Sequence, residues 1–347
     1  GDYSTAVGWE ALKAQAGASG TVANTAVGYG AATAITTGIK NTAIGYNALY
    51  RATTQADHNT AIGYNAMSGN WSTAAVTDCV AIGQSSLQGV LTAGADGTVA
   101  IGSSALGALT SGSGNVAVGT DAAKLLTTGS SNVVVGNLAM DAADGTERYN
   151  VAIGHAAMGA MDEAGNACDF NIAIGGSSMT SGANVAMYGN IAIGYEAMDS
   201  TTTNNHTGTI AIGHTALTAL TSGQNNVAIG YQAADALTTG GTNTIVGNKA
   251  LSAADGTESS NVAIGYNAMA DANHDDADNN VVIGAFAGDE IGANAFANSV
   301  VIGFAAVSDI PTSAASGTVA IGSGALQLVT SGAGNIAIGY GAMKENT

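Results

Sequence analysis

Residues 41–49, Asn-Thr-Ala-Ile-Gly-Tyr-Asn-Ala-Leu, decide the fold, because close copies of this stretch run along the chain. Each copy reads Asn-x-Ala-Ile/Val-Gly-x-x-Ala-Leu/Met, and successive glycines are 17 to 21 residues apart. A fixed period of this size is typical of a solenoid, in which each repeat forms one coil stacked on the previous coil. The repeat glycines are Gly8, Gly28, Gly45, Gly63, Gly83, Gly102, Gly119, Gly136, Gly154, Gly175, Gly194, Gly213, Gly230, Gly247, Gly265, Gly284, Gly303, Gly322 and Gly339.

The residues before each glycine alternate between two kinds of side chain. Counting from the glycine, position −1 is always Ile or Val, and position −3 is always Thr, Val or Ile. These two positions lie on one side of a strand, and β-branched residues suit a buried pleated surface. The other side is small, since position −2 is Ala in fifteen repeats. We therefore expect a strand buried on both faces, with its small face against the opposite wall of the coil or a second subunit.

Position −4 of the repeat is Asn in thirteen copies. Asn side chains at equivalent sites of successive coils can form a ladder, in which each amide bonds the amides above and below it. We interpret these residues as structural rather than ligand-binding. The predicted ladder consists of Asn24, Asn41, Asn59, Asn115, Asn132, Asn150, Asn171, Asn190, Asn226, Asn243, Asn261, Asn280 and Asn335.

The repeat predicts an all-β fold, a parallel β-solenoid of about 19 coils, as a single repeat domain over residues 1–347. A longer period of 111 residues, or six coils, is superimposed on it. This super-repeat divides the chain into blocks of about 102–212, 213–321 and a partial 322–347. The Ala-Leu/Met segment after each glycine is either a strand or a helical turn, because it is too short for its pattern to decide.

Composition excludes several classes of partner. The net charge is −18, from 25 acidic and seven basic residues, which opposes binding to nucleic acid or to anionic lipid. No apolar stretch is long enough for a membrane span. Cys79 and Cys168 fall about 20 Å or more apart at the coil spacing, too far for a disulfide. The chain starts without Met and inside a repeat, so we expect a processed form or a fragment.

The motif Asn-x-Val/Ile-Ala-Ile-Gly resembles the head repeats of YadA-like trimeric autotransporter adhesins, with good instances at 150–154, 171–175 and 226–230. The Asn-Thr-Ala-Ile-Gly-Tyr strings at 41–46 and 59–64 are similar to those of phage tail-fibre proteins. The resemblance covers almost the whole chain, although the coils here are longer than the adhesin repeat. It implies a left-handed parallel β-roll that assembles as a trimer.

Few residues suggest chemistry. The histidines show no zinc-like spacing, and His155 and His214, which share a slot, lie about 15 Å apart at the coil spacing. Oxygen ligands crowded in a loop can hold calcium, which makes the stretch Asp271, Asp275, Asp276 and Asp278 the best metal candidate. Its spacing matches no known calcium loop, and we interpret it as a solvated loop. The same interpretation applies to Asp141, Asp144 and Glu147.

Position +1 is aromatic in nine repeats, including Trp9 and Phe304. A column of such residues is either a stabilising ladder or a surface stripe for glycans. We favour the ladder. The tyrosines of this column are Tyr29, Tyr46, Tyr64, Tyr195, Tyr231, Tyr266 and Tyr340.

The sequence favours a non-enzymatic structural fibre or adhesin module without a cofactor, located outside the cell, on the cell surface or in a virion fibre. A rod of nineteen coils would extend roughly 90 Å. We expect a homo-oligomer, either a trimer or an end-to-end polymer, with a host-surface glycan or protein as a further partner. The alternatives are a self-assembling extracellular filament, an ice-binding solenoid with a threonine column, and a β-helical polysaccharide-degrading enzyme.

Overall fold

The computed structural model describes residues 3–15, 22–53, 55–71, 75–92, 94–161, 168–180, 186–200, 205–292, 295–309, 315–329 and 332–346. The chain forms two compact units, Gly1–Asn171 and Ile172–Thr347. Each unit is an all-β parallel β-solenoid, and no described residue is helical. The prediction of an all-β parallel solenoid is therefore confirmed. Consistently, no helix in the described ranges is long and apolar enough to cross a membrane.

The repeat motif forms the main strand of each coil in the first unit. Nine strands there are three residues long and end immediately before a repeat glycine, so positions −3 to −1 form the strand. The strands of this unit are β1 (Thr5–Val7), β2 (Thr25–Val27), β3 (Thr42–Ile44), β4 (Ala56–Asp57), β5 (Thr60–Ile62), β6 (Val76–Thr77), β7 (Val80–Ile82), β8 (Val99–Ile101), β9 (Val116–Val118), β10 (Val133–Val135), β11 (Val151–Ile153) and β12 (Cys168–Asp169).

The second unit follows the same plan with ten three-residue strands. Its strands are β13 (Ile172–Ile174), β14 (Met187–Tyr188), β15 (Ile191–Ile193), β16 (His206–Thr207), β17 (Ile210–Ile212), β18 (Val227–Ile229), β19 (Thr244–Val246), β20 (Val262–Ile264), β21 (Val281–Ile283), β22 (Val300–Ile302), β23 (Val319–Ile321), β24 (Leu328–Val329), β25 (Ile336–Ile338) and β26 (Glu345–Asn346). The two-residue strands form short parallel pairs elsewhere in the coil, β4 with β6, β14 with β16 and β24 with β26.

Successive coils pair in parallel and in register. Val133 is paired with Val116 of the preceding coil and with Val151 of the following coil. The hydrogen bonds continue past the strand, since the N–H of Gly136 donates to the carbonyl oxygen of Val118 at 2.8 Å. Each coil therefore bonds to its neighbours through the same backbone atoms. The period of the sequence repeat equals the number of residues in one turn of the solenoid.

The repeat glycine is required by both conformation and space. Gly63 has φ of +138°, a region that residues with a side chain rarely adopt. A Cβ atom at this position would also lie 2.5 Å from the carbonyl oxygen of Gly83 in the next coil. The backbones of neighbouring coils thus approach too closely at this corner for any other residue.

The interior of each coil contains the small face of the strand, which corrects one prediction. From β2 onward, the middle residue of each three-residue strand is buried, and the residues on either side of it are partly or fully exposed. Ala100 and Ala211, for example, are 0% exposed. The small face therefore lies inside the coil, against its opposite wall. The expectation that the β-branched columns fill the interior of the coil is wrong, because in the single chain they lie on its outer side.

The coil is bridged beside the strand. The side-chain nitrogen of Asn132 donates to the carbonyl oxygen of Glu147 at 2.8 Å, so one Asn side chain reaches across to other backbone. The inner position −2 is Ala in fifteen repeats, and the four larger residues there, Val134, Ile245, Val282 and Val301, are buried as well. Other large core side chains come from position +4, as Leu106 and Met158 do, after the chain has turned.

The segment after each glycine is a tight turn, neither a strand nor a helix. Positions +2 and +4 both have positive φ, as in Asn47 and Leu49 at +54° each. A side-chain-bearing residue pays roughly 1–2 kcal/mol for this conformation. The turn places Ala48 and Leu49 in the core with 0% exposure, and burying a leucine side chain stabilises by about 1.5–3 kcal/mol. Core burial thus offsets the conformational cost.

Candidate functional site

Each unit carries an apolar surface formed by positions −3 and −1 of its three-residue strands, which we call the aliphatic face. No charged residue occupies either position in any repeat. Ile44 and Val133 are each 38% exposed. In the first unit, from β2 onward, the face consists of Thr25, Val27, Thr42, Ile44, Thr60, Ile62, Val80, Ile82, Val99, Ile101, Val116, Val118, Val133, Val135, Val151 and Ile153. An uncharged apolar surface continuing over successive coils is typical of an interaction site.

The column of Asn residues forms buried hydrogen-bonded ladders. In the second unit, the side-chain nitrogen of Asn243 donates to Oδ1 of Asn226 at 3.1 Å and to the carbonyl oxygen of Glu258 at 2.8 Å. Oδ1 of Asn243 accepts from the N–H of Asn261 at 2.9 Å. Twelve of the thirteen Asn residues are buried, and Asn335 in the last coil is partly exposed. The amides are therefore engaged in holding coils together.

The aromatic side chains at position +1 stack along each unit. In the first unit, the ring centroids of Tyr29, Tyr46 and Tyr64 are 5.1 and 5.2 Å apart, with interplanar angles of 8° and 10°. In the second unit, His214 lies between Tyr195 and Tyr231, at centroid distances of 5.4 and 5.3 Å. These spacings are close to the separation of adjacent strands, so the coil geometry sets the stack.

Stacking limits what the tyrosines can bind. Neighbouring rings cover the faces of Tyr46, which leaves its edge and hydroxyl group in contact with solvent. Each stacked pair contributes about 0.5–1.5 kcal/mol beyond burial. Tyr266 is edge-on to Phe286 at 5.1 Å, and Tyr340 in the last coil is 91% exposed. A sugar ring that packs on an aromatic face therefore has no free face in the middle of the first-unit stack.

The acidic residues of the stretch 271–278 in the second unit make separate hydrogen bonds and do not converge on one point. Oδ1 of Asp278 accepts from the N–H of Ser259 at 2.6 Å, and the N–H of Asp276 donates to Nδ1 of His274 at 3.1 Å. No three His, Cys, Asp or Glu side chains within the described ranges are close enough to hold a metal ion. Those ranges include the whole calcium candidate, Asp271, Asp275, Asp276 and Asp278.

Position −7 points into the core and holds buried polar groups. Glu147, Cys168, His206 and Glu258 all occupy it and are at most 1% exposed. The expectation that Glu147 is solvated is therefore wrong. The same position one coil earlier is Gly129, where a Cβ atom would collide with the backbone carbonyl oxygen of Glu147. Asp141 and Asp144 of the same loop are half-buried and exposed, respectively, and neither Cys79 nor Cys168 forms a disulfide.

Two of the buried groups at position −7, Glu258 and His206, have shifted pKa values. Burial raises the pKa of the Glu258 carboxyl, whose Oε2 accepts from the N–H of Gly256 at 3.1 Å and whose Oε1 has no hydrogen-bond partner. Burial lowers the pKa of His206, although its ring nitrogens lie 3.1 Å from the carbonyl oxygen of Thr221 and 3.3 Å from that of Gly223. Sequence reasoning missed both, although their shared spacing from the glycine was a usable signal.

A groove of about 470 Å³ lies over the last coils of the second unit. Its lining includes Phe286, Asp289, Glu290, Asp309 and Lys344. Burial raises the pKa of Asp289 to about 6, and its Oδ1 has no hydrogen-bond partner. The groove is therefore acidic, with one carboxyl group that titrates near neutrality.

Comparison with protein-family models and with curated proteins gives no match to this chain.

Proposed function

We propose that this chain is a non-enzymatic structural module of a fibre or adhesin, displayed on a cell surface or virion. In this role the stacked coils would space a surface and present binding loops for attachment. The module would associate with further copies of itself through the aliphatic face. The resemblance of the repeat to YadA-like heads favours a left-handed roll and three subunits.

The aliphatic face is the observation that carries the proposal. It presents two columns of β-branched side chains per unit, uncharged in every repeat of a chain with net charge −18. When one face of a β-sheet is in contact with water, the side chains on that face are usually polar. The recurrent Val and Ile side chains at these positions lie outside the core of the single chain, because the core is built from the opposite side of the strand. Burial against another copy would remove this surface from water.

The oligomer is tested by light scattering and sedimentation of the purified chain. We expect a mass of several chains, and three chains would favour the adhesin and fibre lineage. Ile101 lies on the aliphatic face and is partly exposed. The variant Ile101→Lys therefore places a charge on this face. It should fold as the wild type does and sediment as a smaller species.

Leu125→Lys is the matched control, because Leu125 is an apolar residue 46% exposed and outside the aliphatic face. It should retain the wild-type mass. A wild-type monomer at all accessible concentrations would refute self-association. Particles much longer than a few chains, seen by electron microscopy, would instead favour a filament.

Attachment is tested separately, by binding of the purified chain to cells and to glycan arrays. Binding to a cell surface or to an immobilised glycan would support the adhesin role. Failure to bind any surface would leave a spacing role alone. The proposal assigns the chain no reaction, and turnover of a polysaccharide by the purified protein would refute that part.

A further inference from the structure

A second groove, of about 500 Å³, lies on the turn segments of four coils in the first unit. Its lining includes Asn47, Tyr50, Arg51, Asn65, Asn70 and Gln88. Its lining residues come from positions +2 and +5 to +7 of the repeat. Arg51 occupies position +6 in one coil, and the next two coils have Gly69 and Gly89 there, where a Cβ atom would collide with the backbone of the following coil. Four coils give the groove a length of roughly 14 Å.

The groove offers the polar groups that recognise hydroxyl-rich ligands. Asn65, Asn70 and Gln88 each carry an amide with two donor hydrogens and an acceptor oxygen, and Asn47 offers its amide nitrogen, since its Oδ1 is buried. Such paired donors and acceptors match the adjacent hydroxyl groups of a sugar ring. The four amides are spread over three successive coils, so they can contact consecutive units of a chain-like ligand.

An aromatic ring and a cation complete the groove. Tyr50 is half-buried, and the guanidinium carbon of Arg51 lies 5.9 Å from the centroid of its ring. Tyr50 occupies position +5, outside the +1 column, so it is not part of the Tyr29, Tyr46 and Tyr64 stack. A half-buried ring of this kind provides an apolar surface for the C–H groups of a sugar.

The charge of the groove differs from that of the chain. None of the residues that line it is acidic, and Arg51 is its cation, whereas the chain as a whole has a net charge of −18. Because arginine binds carboxylate and sulfate oxygens through two parallel donors, it provides both affinity and geometry for an anion.

We propose that this groove binds an oligosaccharide bearing carboxylate or sulfate groups, with Tyr50 packed against a sugar ring and Arg51 paired with the anion. The inference rests on the proposed attachment role and names the class of ligand for it. The groove of the second unit occupies the same +2, +5 and +6 positions of its coils. It is lined there by Asp289, Glu290 and Asp309, and it therefore repels the ligand that the first groove attracts.

The experiment uses the purified full chain on an array of neutral, uronic-acid, sialylated and sulfated oligosaccharides, followed by calorimetric titration with the best acidic glycan. We expect acidic glycans to bind and neutral analogues of the same length to bind at least tenfold more weakly. Arg51→Gln should weaken binding of the acidic glycan about tenfold or more, since a charge-assisted hydrogen bond is lost. Tyr50→Ala should weaken binding of acidic and neutral glycans alike.

Two matched controls isolate the groove. Lys124→Gln removes the same charge from an exposed residue of the first unit outside the groove, and Phe286→Ala removes an aromatic ring from the groove of the second unit. Both should bind as the wild type does. Circular dichroism verifies that all four variants fold.

Three results would overturn the inference: no acidic glycan bound on the array, a preference for neutral glycans, or equal effects of Arg51→Gln and Lys124→Gln. The proposed function fails differently. If glycans bind but binding is unchanged in the Tyr50 and Arg51 variants, the proposed attachment role is supported and only the assignment of this groove is refuted. If the wild type is a monomer and still binds acidic glycans through the groove, only the proposed self-association is refuted.

Discussion

Asn132 donates two hydrogen bonds to a single oxygen atom of Asn115, Oδ1, one from its backbone N–H and one from its side-chain nitrogen, both at 3.0 Å. One amide thus fixes both the backbone and the side chain of the equivalent residue one coil later. The same pair of bonds links Asn226 to Asn243 at 3.0 and 3.1 Å. The ladder therefore sets the register of the coils as well as filling their interior.

The ladder predicts a large effect of Asn132→Ala. The substitution leaves the N–H of Asn150 and the carbonyl oxygen of Glu147 without their present partner. Each unpaired buried group costs about 1–3 kcal/mol, so we expect a loss of about 2–5 kcal/mol in the free energy of unfolding, measured in urea. Asn132→Thr is the control, because Thr98 and Thr209 occupy this slot naturally. Its loss should be smaller, and equal losses would contradict a specific role of the amide.

The close approach at the repeat glycine predicts that Gly63→Ala is strongly destabilising. A Cβ there meets the carbonyl oxygen of Gly83 and also occupies a φ of +138°. We expect a loss of about 3 kcal/mol or more, from backbone strain together with overpacking. Gly94→Ala is the control, since its φ is +121° but its Cβ would meet no atom within 4 Å. Thermal unfolding should separate the two variants, and similar losses would show that the close contact contributes nothing.

His206 predicts that the second unit loses stability on acidification. Burial lowers its pKa from the usual 6.5, so the unfolded chain takes up a proton at a higher pH than the folded chain does. The stability is full above pH 6.5 and decreases as the pH falls below it. Melting curves between pH 7.5 and 5 should show a smaller decrease for His206→Gln than for the wild type. An unchanged decrease in the variant would assign the effect to other groups.

Asp289 predicts a pH effect of the opposite sign. Its raised pKa of about 6 means that the folded chain holds the proton more tightly than the unfolded chain, whose carboxyl has the usual value of 3.8. Its contribution to stability is therefore present below pH 3.8 and is lost as the pH rises through 6. Asp289→Asn should be more stable than the wild type at pH 7.5 and lose this advantage at low pH.

Glu290→Gln is the control for Asp289, because it removes a neighbouring charge from an exposed residue. Its melting temperature at pH 7.5 should rise less than that of Asp289→Asn. An equal rise would indicate general charge repulsion in the acidic groove rather than burial of one carboxyl group.

The sequence predicted the fold because its strongest signal is also its strongest physical constraint. Gly63 and its equivalents cannot be replaced where two backbones touch, and position −4, where the Asn132 amide bridges the coil, is Asn in thirteen coils and Ser, Thr or Cys in the others. Both constraints recur once per turn, so the period, the strand and the parallel register all follow from them.

The orientation of the strand could not be predicted in the same way. Val99, Ala100 and Ile101 alternate as any buried strand does, and β-branched residues ordinarily face a core. The inner face of the coil holds Val134 and Ile245 as well as Ala, so residue type alone does not reveal which face is inside. The grooves could not be predicted from the sequence either. Their lining residues, such as Tyr50 and Gln88, are 38 positions apart in sequence and come together only when the coils stack.

Within each unit, coils bond to one another through identical backbone atoms, so a whole turn is the natural unit of insertion and deletion. Removing one complete rung would join two surfaces that already match, whereas removing half a rung would leave mismatched edges. The 111-residue similarity between residues 104–147 and 215–258 fits gain of six rungs in one event. Such a molecule can change its reach in steps of roughly 5 Å per rung without inventing a new core.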